Sequence, residues 1–107
     1  PYEIKIQQGI IVLIGQIKDI PILLGEAKQL ENEYKRVLNE GTNYGLVQII
    51  KTTYERNQAR IKNNKKVSEK DNRYFEMAEK YLYNEMAIVL NMTPEDVRDY
   101  VIEQVSK

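Results

Sequence analysis

The chain has 107 residues, room for one globular core but not for two independent ones. Its 42% hydrophobic content supports such a core, and the 16 basic and 16 acidic side chains cancel, so net charge names no partner. With no Cys and no His, it excludes a disulfide framework, a thiolate nucleophile, a zinc-finger site and the usual neutral-pH base. The missing cysteines suit a reducing, cytoplasmic location.

Residues 1–25 read as an N-terminal segment packing on the domain, extended or helical. The Ile/Val-rich run favours a strand by propensity, punctuated by Gly9, Gly15 and Pro21. A helix over residues 8–18 would instead put Ile10, Leu13, Ile14 and Ile17 on one face, and is the preferred expectation because the rest is helical. Lys18, Asp19 and Pro21 interrupt residues 10–24, whose longest apolar run is the five residues 10–14. That is far short of the roughly 20 needed to span a bilayer. A buried segment is expected, Leu23 and Leu24 included.

From residue 26 to residue 107 the pattern is helical. Ala27, Leu30, Tyr34, Val37 and Leu38 form one apolar stripe, and Gly41 offers a C-terminal cap. Thr42 or Asn43 can cap the next helix, whose buried face is expected to be Leu46, Val47, Ile50, Tyr54 and Ile61, with Lys51, Glu55, Arg56, Gln58, Arg60 and Lys62 pointing elsewhere. Asn63-Asn64-Lys65-Lys66 reads as a polar break. Ser68 and Asp71 then give a capping-box start to a long helix carrying Tyr74, Phe75, Ala78, Tyr81, Leu82, Met86, Val89 and Leu90. Thr93-Pro94-Glu95-Asp96 opens the last helix, with Val97, Tyr100, Val101 and Val105 as its stripe. The expected fold is all-α: a compact, single-domain bundle of four to five helices joined by short connections.

Catalytic chemistry finds little purchase. Glu31 and Glu33 lie on different faces, Glu76 and Glu79 face solvent, and no acid occupies an expected core position where burial could raise its pKa. Tyr34, Tyr54, Tyr74, Tyr81 and Tyr100 fall on apolar stripes and read as core rings. There is no Gly-rich phosphate loop and no nucleophile elbow. The chain reads as a non-enzyme without metal or cofactor.

Charge is unevenly placed. Residues 47–73 carry eight basic side chains against three acidic, a local +5 between flanks of −1 and −4. On charge alone a solvated helix face is the simplest explanation. A helix–loop–helix corner bearing Lys51, Arg56, Arg60, Lys62, Lys65, Lys66 and Arg73 can nevertheless set several cations along a phosphate backbone.

The motifs at this corner also resemble a known family. Ile49-Ile50-Lys51-Thr52-Thr53-Tyr54-Glu55-Arg56 is followed by Val67-Ser68 and then by Ala78-Glu79-Lys80-Tyr81-Leu82-Tyr83-Asn84-Glu85-Met86-Ala87. Thr93-Pro94-Glu95-Asp96 closes the series, and Tyr34-Lys35-Arg36-Val37-Leu38-Asn39-Glu40-Gly41 precedes it. In order and spacing these resemble the C-terminal helical domain of the CarD (CdnL-like) bacterial transcription regulators. The resemblance implies a cytoplasmic domain contacting double-stranded promoter DNA and stabilising its complex with RNA polymerase. It also implies that Lys51, Arg56, Arg60 and Arg73 meet phosphates, with Lys62, Lys65 and Lys66 as additional contacts in a longer loop.

Two departures stand out. The family's polymerase-binding β domain does not precede these helices, so the chain reads as a fragment. Leu23 or Leu24 stands near the place of a Trp with which many members wedge into the minor groove; a core role is the expectation for both leucines. The competing expectation is a protein-interaction or homo-oligomerisation module using the apolar residues 10–24.

Overall fold

The computed structural model describes residues 19–106; the helix expected over residues 8–18 and most of the apolar stretch 10–24 lie outside the described residues. The fold is all-α, as expected, with four helices among the described residues. They are α1 (Ala27–Glu40), α2 (Asn43–Lys62), α3 (Glu69–Leu90) and α4 (Pro94–Ser106). The chain sorts into two compact units, Pro21–Glu79 and a second that contains Ile20 and the chain from Lys80 onward.

In the first unit, helix α1 buries Leu30, Tyr34 and Val37, one stripe at three- and four-residue spacing. Gly41 ends it in the left-handed conformation (φ 67°), its N–H donating to the Val37 carbonyl at 3.1 Å. Thr42 starts α2 at once: its hydroxyl accepts the Gly45 N–H at 3.0 Å. A Cβ on Gly45 would lie 2.5 Å from Val37 Cγ1, so this glycine is what the approach of the two helices requires.

Helix α2 departs from the expected stripe. Leu46, Val47, Ile49, Thr52, Thr53 and Asn57 are buried, whereas Tyr54 and Ile61 are 55% and 53% exposed. The buried face is displaced because three of its positions are polar, and two of these, Thr52 and Thr53, satisfy themselves within the helix. Thr52 and Thr53 hydroxyls donate to the carbonyls of Gln48 (2.6 Å) and Ile49 (2.7 Å), so neither brings an unpaired group into the core. Tracking apolar residues alone follows the wrong side of such a helix.

The connection after α2 is more ordered than a polar break. Asn64 adopts φ 59°, the Lys65 N–H donates to Arg60 O at 2.8 Å and the Asn64 N–H to Ile61 O at 3.0 Å, a Schellman arrangement with Asn in glycine's place. In the second unit the same device closes α3, where Asn91 has φ 56° and Met92 N–H donates to Ala87 O at 2.9 Å.

Ahead of α1, residues 21–24 are neither helix nor strand, and they are tied to α2. Leu23 N–H donates to Thr52 Oγ1 at 2.8 Å, and Gln48 Nε2 donates to the Pro21 carbonyl at 3.2 Å. Leu23 is half-buried, but Leu24 is 81% exposed, which corrects the core role expected of it. The hydrogen bonds hold the backbone and leave that side chain outside.

In the second unit Leu82, Met86 and Val97 are buried, in line with the expected stripes, and Ala87, outside them, is buried as well. Tyr81, expected in the core, is 52% exposed. Thr93 caps α4 as expected, its hydroxyl accepting the Asp96 N–H at 3.1 Å with Pro94 in the first helical position. None of the described helices is long and apolar enough to cross a membrane.

Candidate nucleic-acid interface

The basic segment folds as the second half of α2, the connection 63–68 and the first turns of α3. Its centre is an acid that the sequence pattern does not place in the core. Asp71 is 4% exposed, and its carboxylate collects partners from two other helices. Arg60 Nη1 donates to Asp71 Oδ2 at 2.6 Å, Arg56 Nε to the same oxygen at 3.0 Å, and the Tyr34 hydroxyl to Oδ1 at 3.2 Å. Arg56 and Arg60, expected to point away from the core, are both half-buried and turned onto this carboxylate.

Asn57 completes the network. Its Oδ1 accepts from Arg60 Nη1 (2.6 Å) and from the Ser68 backbone N–H (2.9 Å), while its Nδ2 donates to Asn72 Oδ1 at 2.8 Å. The capping box expected of Ser68 and Asp71 is therefore only half made. Ser68 Oγ accepts the Asp71 N–H at 3.1 Å, but the Ser68 N–H goes to Asn57 because the Asp71 side chain is occupied by the arginines.

Burial pushes the Asp71 carboxyl up, but the hydrogen bonds from Arg60 and Arg56 and the charges behind them outweigh it and hold the pKa below the ordinary Asp value. Burial pushes the Tyr34 hydroxyl up to about 12, and the Asp71 charge adds to the shift. The ring of Tyr34 also packs against Tyr74 at a centroid distance of 4.9 Å, tilted by 47°.

The other expected contact residues stand differently. Lys62, Lys65, Lys66 and Arg73 are exposed, and Lys51 is half-buried. Lys51 precedes Lys62 by eleven residues on the helix, about 16 Å along its axis, so it stands apart from the corner. Lys70 is paired with Glu31 of α1 at 3.0 Å. Its hydrogen bond lowers the Glu31 carboxyl against an opposing desolvation, with Lys35 and Arg73 adding to the effect. The segment thus divides into two arginines committed to Asp71 and a group of outward cations at the corner, Lys62, Lys65, Lys66 and Arg73.

Beside that corner lies a groove that the sequence pattern does not suggest. Thr53, Tyr54, Asn57, Gln58, Ile61, Val67, Asn72 and Phe75 line about 140 Å³ of space. Drug-sized ligand sites occupy roughly 300–1,000 Å³, so the groove is too small for a typical cofactor. Tyr54 and Ile61 line it because the second half of α2 buries Thr52, Thr53 and Asn57 instead of them. Among the described residues no three acids cluster in a way that could hold a metal ion.

Compared with models of protein families, with curated proteins and with solved structures, the chain matches none. The site alone speaks to its function.

Proposed function

We propose that this chain is a non-enzymatic DNA-contacting module, and that it acts like the helical domain of CarD-type regulators in steadying a complex of RNA polymerase with promoter DNA. The observation that carries the reading is the corner itself: Lys62, Lys65, Lys66 and Arg73 are all exposed at one helix–loop–helix junction. Such groups fix register on a phosphate backbone and carry little sequence information. The Asp71 network supports the reading by tying α2 to α3 at this junction through two half-buried guanidiniums and a buried carboxylate. The exposed Leu24, at the end of the segment pinned to α2, is the side chain that would stand in for an apolar wedge.

The test is binding to a blunt DNA duplex by fluorescence anisotropy over a series of salt concentrations. Replacing Lys62, Lys65 and Lys66 by Glu should weaken binding on every sequence tried. It should also reduce the slope of log K against log salt by about 0.9 for each phosphate that is no longer neutralised. An unchanged slope would rule these lysines out as phosphate ligands.

A further inference from the structure

We infer that the groove lined by Tyr54 and Phe75 receives a single unpaired nucleobase. The inference rests on the duplex-binding reading and narrows it. Three observations carry it.

The first is composition. Two aromatic residues, Tyr54 and Phe75, and two aliphatic ones, Ile61 and Val67, line the groove together with the amides of Asn57, Gln58 and Asn72. Rings and amides together suit a flat heterocycle: apolar contact for its faces and hydrogen bonds for its edge. Asn57 is already committed on both sides of its amide, and the Oδ1 of Asn72 accepts from it. The exposed Gln58, by contrast, offers its amide to a base edge, as does the Nδ2 of Asn72, which lines the same groove.

The second is size. About 140 Å³ is on the scale of one ring system. A base can enter only after leaving its stack.

The third is charge. Ile61 and Val67 both line the groove, and the connection between these two residues carries Lys62, Lys65 and Lys66, all exposed. A base in the groove would trail its phosphates toward those cations, the combination of stacking surface and basic track used by single-strand binders. An apolar peptide anchor would fit the space, but it would leave the lysines without counter-charge.

The test uses the full chain and three fluorescein-labelled DNA probes of one sequence: a blunt duplex, the same duplex with three unpaired thymines at its centre, and the single strand. Binding is followed by anisotropy, with thermal denaturation confirming that each variant is folded. The wild-type chain is expected to prefer the probe with unpaired bases to the blunt duplex. Tyr54→Ala, at an exposed position, should lower affinity for the unpaired-base probe by roughly five- to a hundred-fold, while Tyr54→Phe keeps it and neither change affects the blunt duplex.

Equal binding of blunt and unpaired probes, or equal losses on both with Tyr54→Ala, overturns the groove assignment and leaves the duplex reading standing. Tyr54-dependent binding of single strand without binding of blunt duplex overturns the duplex reading and keeps the groove. Binding of no probe overturns both. Ring resonances of Tyr54 and Phe75 that move with protein concentration and not with added oligonucleotide overturn the groove assignment in favour of a second copy of the chain.

Discussion

Arg60 and Asp71 meet through a single short contact, Nη1 to Oδ2 at 2.6 Å, with the carboxylate almost wholly buried and the guanidinium three-quarters so. A pair in this position is expensive to break from one side. Asp71→Ala leaves two half-buried cations without their anion, and the expected loss of unfolding free energy is about 3–5 kcal/mol. Urea denaturation measures it. A loss below about 1 kcal/mol, the range of exposed pairs, would mean that solvent already screens the contact.

The same pair makes a contrast with the lysines. Arg60→Gln is expected to lower stability and to act on DNA affinity only through that loss, whereas Lys65→Gln should lower affinity and leave the melting temperature in place. Measuring both properties on both variants distinguishes them; an Arg60→Gln protein with native melting and weakened duplex binding would transfer Arg60 to the contact surface.

The network also sets a pH dependence. The folded-state pKa of Asp71 is held below its ordinary value of 3.8, so its contribution to stability is complete above that value and fades as pH falls through the lower folded-state pKa. Tyr34 behaves in the opposite sense. Its pKa rises from 10.0 to about 12, so its contribution is complete below pH 10 and is lost as pH climbs toward 12. Melting temperatures against pH should therefore fall at both ends, the acid limb becoming shallower in Asp71→Asn and the alkaline limb in Tyr34→Phe. An acid limb of the same steepness in Asp71→Asn would assign it to other carboxylates.

Gly45 offers a packing test. Gly45→Ala gains about 1 kcal/mol of helix propensity but places a methyl group against Val37 Cγ1, where overpacking costs about 1–3 kcal/mol. A net loss of stability is expected, and Val37→Ala in the same chain should reduce it. A more stable Gly45→Ala protein would show that the helices can separate at little cost.

The two left-handed asparagines give a further test. Asn91→Ala forces a Cβ-bearing residue without a helpful amide into φ near 56°, at a cost of about 1–2 kcal/mol, while Asn91→Gly should be neutral or stabilising. Thermal denaturation of the pair decides it. If the alanine variant melts with the wild type, the backbone turns some other way at this point.

Helix boundaries were legible wherever a local rule sets them. Gly41, Thr42 and Thr93 cap as their residue types demand, and the stripes Leu30–Tyr34–Val37 and Leu82–Met86 are buried as their spacing requires. What sequence could not give was the orientation of α2. Threonines and an asparagine occupy its buried side, and a hydrophobic periodicity has no way to count a hydroxyl that satisfies itself on a carbonyl one turn back. Asp71 was hidden for the same reason, because a carboxylate at the third position of a helix looks like a cap until two arginines spaced four apart are known to face it. That spacing, Arg56 and Arg60 on a single helix face, was the signal available. Nor could the groove at Tyr54 have been found, since it depends on the second half of α2 burying Thr52, Thr53 and Asn57 and leaving Tyr54 and Ile61 exposed.

The hydroxyl of Thr52 links two parts of the chain that differ in kind. Its hydrogen is given to the Gln48 carbonyl, and its lone pair receives the Leu23 amide. The first bond exists only when that turn of α2 is wound, so the acceptor is presented to residue 23 only after the helix has formed. Unwinding that turn therefore costs the Leu23 amide its partner as well. In native-state hydrogen exchange, the Leu23 amide should open at least as readily as those at the centre of α2, giving the molecule a first point of release at the strap beside Leu24.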